Sequence, residues 1–339
     1  MYIARQRIDK GCVSTRVDNK TNIRIDELDI LIPVKAKTKA KTQAMRDRIS
    51  AAINAIEGNS IYKVERKRST NDYIRCRKIK LRSNTDCYIT LECLPISKNR
   101  SFLKLKLSPQ HWRIDELNAM LLFIFGCINR KAITLLKKAY ISRIDLAIDI
   151  DEHIMSDVIV GFDGIRSGHI TANTAPYGLK LGSDHSIFFL SVYEKYTFTG
   201  DKVPKGTSKG VVRVKDEDVI PFTRFEIRHR PKKNKLLLSD LSSMNEFVSK
   251  LHIYDRGAVL TRARTHACFK TAIPSMTLPE VWKAYYADTS RKGRKRKQNM
   301  MKILESNKWN FGPERIWKCW PECVSKLGLL AQPDLWNES

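Results

Sequence analysis

Hydrophobic residues recur along this chain with two different periods, and each change of period marks a boundary between elements. The apolar run "LDILIPVK" (28–35) ends near Pro33 and predicts a short strand. Residues 38–57 place Met45, Ile49, Ala52, Ile53 and Ile56 at helical spacing, with Gly58 and Asn59 as a stop signal. Three strand-like runs follow at 60–66, 72–81 and 86–94. In "SFLKLKLS" (101–108), Leu103, Leu105 and Leu107 alternate with Lys104 and Lys106. That pattern predicts an antiparallel strand with one buried and one basic face. Residues 113–138 carry Ile114, Leu117, Leu121, Ile124, Phe125 and Ile128 as the stripe of one long helix.

Alternation then returns in "YISRIDLAIDID" (140–151). The stretch 177–196 predicts a hairpin turning at Gly182, Ser183 and Asp184, and "PFTRFEIRHR" (221–230) predicts a further strand. Past about 235 the texture becomes helical. "KLLLSDLSSMNEFVSKL" has Ser239 or Asp240 as a cap, and Thr277-x-x-Glu280 has the spacing of a capping box with Pro279 in the first turn. "FGPERIWKCWPECVSKLGLL" again sets a proline just inside a helix start. The expected fold is therefore α+β: an N-terminal domain, 1–235, with a mostly antiparallel sheet packed on helices, and a smaller helical region, 236–339.

Charge sharpens this picture. The 339 residues hold 62 Lys and Arg against 36 Asp and Glu, a net charge of +26, with 42% hydrophobic residues. Such an excess points to a polyanionic partner, nucleic acid first and an anionic membrane surface second. No window is apolar for long enough to cross a bilayer, and "AMLLFIFGCI" (119–128) reads as a buried helix face. The first residues show no apolar signal segment, so a cytoplasmic protein is expected. Eight cysteines are scattered without a C-x-x-C or a partnering pair of histidines, which excludes a common zinc pattern. Cys319 and Cys323 read as reduced residues one helical turn apart. "RKGRKRK" (291–297) reads as a solvated basic loop or as a phosphate clamp formed by Arg291, Lys292, Arg294, Lys295, Arg296 and Lys297.

The acidic groups raise a sharper question. Side chains alternate along a strand, so Arg143, Asp145, Ala147 and Asp149 share one face, opposite Ile144, Leu146, Ile148 and Ile150. Phe189, Ser191, Tyr193 and Lys195 share a face of the hairpin strand. Arg224, Glu226, Arg228 and Arg230 share one of the next. If these three strands are neighbours, one sheet face becomes a polar floor. Asp145 and Glu226 are oxygen ligands suited to a hard divalent cation. Asp149 lies four residues from Asp145, about 13 Å along a strand, too far for both to hold one ion. The alternative reading is that these carboxylates simply form salt bridges across adjacent strands.

"ISRIDLAIDI", "FFLSVYEK" and "PFTRFEIRHR", in that order, resemble the Arg-x-Asp, Tyr-x-Lys and Arg-x-Glu strands of the replication initiators of filamentous bacteriophages and related plasmid replication initiation factors. "LDILIPVK", "LKLKLSPQHW" and "RIWKCWPECVSKLGL" extend the resemblance over about 28–330. The resemblance implies a rolling-circle nickase: a metal-dependent enzyme that cuts and reseals one strand of a supercoiled origin through a 5′-phosphotyrosine. Carried over, Tyr193 is the nucleophile, Lys195 its basic neighbour, Asp145 and Glu226 ligands of Mg²⁺ or Mn²⁺, and Asp149 a further acid of the plasmid-type pattern. Tyr196, on the opposite parity, competes with Tyr193. Arg228 joins the catalytic charge, and Arg143 and Arg224 contact DNA. The implied partners are double-stranded origin DNA, the nicked strand, and a host helicase and polymerase, with an oligomer on the DNA and no membrane. No His-hydrophobic-His pair is present, which sets the chain apart from initiators whose metal sits on two histidines. A non-catalytic sequence-specific DNA-binding protein and an RNA-binding protein are the rival readings.

Overall fold

A computed structural model describes residues 2–4, 13–33, 38–70, 72–83, 87–96, 103–128, 132–151, 153–171, 178–198, 211–213, 219–231, 236–244, 248–309 and 311–336. The predicted strands appear, the first of them as Thr21–Ile32 rather than 28–35, together with strands that were not expected, such as Val158–Phe162, Val211–Arg213 and Leu251–Asp255. In chain order they are β1 (Tyr2–Ala4), β2 (Ser14–Arg16), β3 (Thr21–Ile32), β4 (Tyr62–Lys67), β5 (Tyr73–Leu81), β6 (Tyr88–Pro95), β7 (Leu103–Leu107) and β8 (Tyr140–Asp151). Then come β9 (Val158–Phe162), β10 (Gly168–Thr171), β11 (Gly178–Leu181), β12 (Phe188–Phe198), β13 (Val211–Arg213), β14 (Val219–His229), β15 (Leu236–Leu237) and β16 (Leu251–Asp255). The principal sheet runs β10-β11-β12-β14-β8-β3-β7-β6-β5-β4, with β2 on β3 and β15 on β8. Every described pairing within it is antiparallel. The fold is α+β, as expected.

One face of this sheet is the core. Ile144, Leu146, Ile148, Leu103, Leu105, Phe225 and Ile227 are buried on it. Helices α1 (Lys39–Glu57) and α2 (Ile114–Ile128) cover it with Ile49, Ile53, Leu117, Leu121 and Ile124. Each such fully buried aliphatic side chain contributes roughly 1.5–3 kcal/mol. The long helix expected over 113–138 is instead α2, ending at Ile128, and a separate 3₁₀ stretch, Ala132–Lys138, whose Ala132 and Leu136 continue the buried positions. Met120, Leu121, Ile124, Phe125 and Ile128 of α2 are buried in the core while Leu122 is exposed, and among the described residues no single helix is long and apolar enough to cross a membrane.

The C-terminal part departs further from expectation. The helix expected after a cap at Ser239 or Asp240 is not seen among the described residues of this stretch, which form β15 and two 3₁₀ turns, Leu238–Ser243 and Val248–Lys250. Four helices follow: α3 (Arg256–Thr261), α4 (Ala267–Ala272), α5 (Leu278–Tyr285) and α6 (Arg291–Glu305). The capping box forms: Glu280 accepts from both the backbone N–H and the hydroxyl of Thr277, at 2.7 and 2.8 Å. These helices share a second core of Val259, Phe269, Val281, Met300 and Leu304 with Ile159 of β9. The last helix, α7 (Pro313–Ser325), returns Ile316, Trp320 and Cys323 to the first core. The chain thus crosses the expected boundary at 235 in both directions. All seven described cysteines are free thiols, Cys319 and Cys323 among them.

Candidate active site

The three strands read from sequence as bearers of a polar stripe are consecutive neighbours: β12 pairs with β14, and β14 with β8. Their registers set Ser191 opposite Glu226, Tyr193 opposite Arg224, Arg228 opposite Asp145, and Arg224 opposite Asp149. The phenol of Tyr193 leans along the sheet by one diagonal and donates to Glu226 Oε2 at 3.0 Å. On its other side Tyr193 faces Gly178 of β11, which offers no side chain to cover the ring. Burial raises the Tyr193 hydroxyl well above its ordinary value of 10.0, and Glu226 adds to the shift. Burial also pushes the Glu226 carboxyl up, to about 7, with the negative charges of Asp26 and Asp145 as further causes. A phenol that holds its proton thus touches a carboxylate poised to take one near neutrality.

Two arginines flank this pair on an acidic anchor. Asp145 is fully buried and accepts from Arg143 Nε at 2.8 Å, from Arg143 Nη2, and from Arg228 Nε at 3.1 Å. Arg143 also reaches Glu27 at 2.6 Å, and Arg228 reaches Asp184 at 2.8 Å. Both side chains keep part of their surface in solvent, 18% for Arg143 and 14% for Arg228.

Asp149 and Arg224 have a different place from the one expected. Arg224 is 0% exposed and binds Asp149 in a fork, Nε to Oδ1 at 2.5 Å and Nη2 to Oδ2 at 2.8 Å. Arg24 Nη2 adds 2.9 Å to the same Oδ2. Burial opposes the charge on Arg224, and Asp149 more than offsets it, raising its pKa. Asp149 is thus spent on two guanidiniums and is not available as a metal ligand. Arg224 is enclosed and reaches no DNA at the surface. The salt-bridge alternative holds for this pair.

Sequence reading missed Asp26. The register between β3 and β8 slips between Ile25, opposite Leu146, and Glu27, opposite Asp145. Asp26 is the extra residue of that β-bulge, a device that re-aims a side chain. It lies 3.6 Å from Arg224 Nη1, accepts from Gln110 Nε2, and its charge is felt at both Glu226 and Tyr193. The signal was present in "NIRIDELDILI": Ile23 and Ile25 hold odd positions, then Leu28, Ile30 and Ile32 hold even ones. Such a change of parity within one strand is what an inserted residue produces.

Lys195 and Tyr196 continue β12, with backbones opposite Phe222 and Pro221; their side chains lie outside the described residues. "RKGRKRK" is the start of α6 rather than a loop. Ser290 caps it by accepting from the Gly293 N–H at 3.1 Å, and Gly293, Met300 and Leu304 form its buried stripe. Arg291, Lys292, Arg294 and Lys295 are exposed on it. Arg296 is turned sideways instead, donating to His266 Nδ1 at 3.1 Å and to Cys268 Sγ at 2.7 Å. Lys297 lies 5.6 Å over the Trp282 ring.

A divalent cation can be tested against this donor set. Among the described residues, no three His, Cys, Asp or Glu side chains converge as a ready-made cage. Asp145 and Asp149 are committed to arginines. Glu226, raised by burial and by the like charge of Asp26, is the carboxylate a cation would relieve. One or two carboxylates completed by substrate phosphate and water is the usual arrangement for Mg²⁺; Glu226 fits it, with Asp26, whose own partners are Gln110 and a looser contact to Arg224 at 3.6 Å, as the second acid whose charge reaches the site.

No family model and no curated protein matches the chain. Among solved structures it is similar to one described as the rolling circle replication initiator protein from Geobacillus stearothermophilus, at 12% identity and a TM-score of 0.34, over 84% of this chain and 97% of that one. At that identity and superposition the likeness says nothing about individual residues.

Proposed function

We propose that this chain is a DNA nicking and rejoining enzyme that initiates rolling-circle replication, with Tyr193 as its nucleophile. The observation that carries this reading is the 3.0 Å hydrogen bond from the Tyr193 hydroxyl to Glu226, set beside the Asp145-anchored arginines on one sheet face. Tyrosine oxygen is a poor nucleophile with its proton on, so it needs a base in contact. Glu226 Oε2 takes that proton as the phenolic oxygen attacks the scissile phosphorus. The bond to the 3′ oxygen breaks, that oxygen takes up the proton now carried by Glu226, and a 5′-phosphotyrosine and a 3′-hydroxyl able to prime synthesis result. Because the phosphodiester is exchanged rather than hydrolysed, the reverse step reseals the strand.

Arg143 and Arg228 stabilise charge as it builds on the non-bridging phosphate oxygens. Asp145 holds both guanidiniums so that little reorganisation is needed during the reaction. Glu226 and Asp26 would be the residues to hold Mg²⁺ or Mn²⁺, which would supply Lewis-acid polarisation of the phosphate. Lys195 remains a candidate for the same positive cluster by its parity with Tyr193. The partners are supercoiled duplex DNA and the strand freed by nicking; a host helicase and polymerase would follow at the exposed 3′ end.

A second reading, a DNA-binding protein without catalysis, draws on the buried Asp149–Arg224–Arg24 group, which is structural. The two readings separate in one assay. The protein is mixed with a supercoiled plasmid library of randomised inserts and Mg²⁺, denatured in detergent, and the DNA still linked to protein is recovered and sequenced. The nicking enzyme yields linked DNA from wild type and none from Tyr193→Phe. A pure binder yields none from either.

A further inference from the structure

We infer that α6 is a base-reading helix that enters the major groove of duplex DNA, with Gln298 and Asn299 contacting base edges and the cations on either side of it holding the two phosphate backbones. This rests on the reading of the chain as a DNA-acting protein, and names how it would choose its site.

The argument begins with the helix itself. Its fifteen residues span about 22 Å, and a helix with its side chains is about 10–12 Å across. That matches the major groove of B-DNA, about 12 Å wide. Gly293, Met300 and Leu304 turn inward, so the outward face is set by 100° steps from them. Arg291, Lys295, Gln298, Asn299 and Lys302 fall on that face, and all are exposed. Between Ser290 and Leu304 there is no acidic residue. Two amides at the centre of a run of cations are what adenine-edge recognition uses, since Asn and Gln pair bidentately with adenine in this groove.

The surroundings favour a duplex. One side of α6 is bordered by a cleft of about 660 Å³ that includes Arg166, Lys283, Arg294 and Lys297. Its other side is bordered by a cleft of about 730 Å³ that includes Arg262, Arg264, His266 and Lys302. A convex helix between two basic hollows is complementary to a groove between two phosphate ridges. A single-strand platform would instead need free aromatic faces. Tyr286 is 4% exposed and stacks on His266 at 5.8 Å, Trp282 packs edge-on against Tyr286 at 4.8 Å, and Tyr285, 43% exposed, is a single open ring rather than a row of them. The rim does carry one acid, Asp288, whose carboxylate is taken up by the Ser290 N–H and hydroxyl at 2.8 and 2.9 Å. Gly293 is required there: a Cβ would lie 2.5 Å from the Asp288 carboxyl carbon and from its backbone oxygen. The glycine inside the basic run thus seats the start of α6 on the preceding turn.

The test is selection from a randomised duplex library by the full chain, followed by titration of the enriched duplex, its separated strands and an RNA duplex of the same sequence. Wild type should enrich a defined site and bind the DNA duplex best. The double substitution Gln298→Ala with Asn299→Ala should lose about tenfold or more in preference for the enriched site over random duplex, with thermal stability unchanged because both side chains are exposed. Lys302→Ala should weaken every duplex alike and lower the salt slope by about one. Enrichment of the same site at unchanged preference by the double variant overturns the inference, as does tighter binding of a separated strand or of RNA. If Tyr193-linked DNA forms while the double variant reads the same site, the inference alone fails. If no linked DNA forms while α6 still sets the site, the nicking reading alone fails.

Discussion

Glu226 is the residue on which chemistry and stability pull in opposite directions. Its carboxyl, raised from 4.5 to about 7, binds its proton more tightly folded than unfolded. The stability this contributes is therefore fully present below about pH 4.5 and is lost as pH rises through about 7, on the order of a few kcal/mol. Glu226→Gln should accordingly raise the melting temperature at pH 8 and change it less at pH 5, while abolishing strand linkage. Calorimetry at both values checks this, and a variant less stable than wild type at pH 8 contradicts it. Because the base must be unprotonated to accept the phenolic proton, linkage in the wild type should rise with pH as Glu226 loses its proton, with a midpoint lower than that of the metal-free carboxyl because a bound cation favours its charged form. The buried Arg224 behaves oppositely. Arg224→Lys cannot keep both bonds of the fork to Asp149, and partly unpairing that buried charge should cost up to about 3–5 kcal/mol, read as a large fall in melting temperature. Tyr193→Phe loses one hydrogen bond to a half-buried carboxyl and should cost no more than about 1–3 kcal/mol.

Among the elements, the bulged strand β3 does more for the site than its sequence suggested. Its extra residue turns Asp26 toward Glu226 and keeps the flanking apolar positions facing the core on both sides of the slip. Removing that negative charge should lower the Glu226 pKa of the metal-free protein, so in Asp26→Asn the loss of stability tied to Glu226 should be complete at lower pH, while linkage should need more Mg²⁺ or Mn²⁺. Melting temperatures across pH without metal check this, and a loss that is complete only at the same or higher pH contradicts it. Here the legibility of the sequence can be judged element by element. Strands β7, β8, β12 and β14 were readable because each has one apolar and one polar face, and a period of two then fixes which residues share a surface. The pairing of Tyr193 with Glu226 followed from that parity once the strands proved adjacent. For Asp149 the sequence left metal binding and a salt bridge both open, because parity says which face a carboxylate occupies and nothing about the guanidinium that waits across the ladder. The region 235–251 was misread because leucines at helical spacing also suit 3₁₀ turns packed on the sheet edge. The basic run 291–297 was readable as charge but not as helix, since its inward stripe continues only beyond it, at Met300 and Leu304.

At the scale of the whole molecule, one sheet serves as both core and work surface. Its apolar face is closed by helices, and its polar face is crossed by ion pairs such as Lys104 to Asp29 at 2.8 Å and Lys106 to Glu92 at 2.6 Å. Those pairs use up much of the acidic complement within the fold, so the remaining net charge of +26 is left to act outward. Association with duplex DNA should therefore weaken steeply with salt, the logarithm of affinity falling by about 0.9 for each phosphate neutralised per logarithm of salt. A titration series in salt that gives a slope near zero would contradict a charge-led docking. The central claim, however, is chemical, and one measurement meets it directly. Wild-type protein is incubated with the supercoiled library and Mg²⁺, digested with protease after denaturation, and the peptide left on the DNA is identified by mass spectrometry. The account predicts a phosphodiester link between Tyr193 and a 5′ phosphate; a link at any other residue, or DNA cut with no peptide attached, contradicts it.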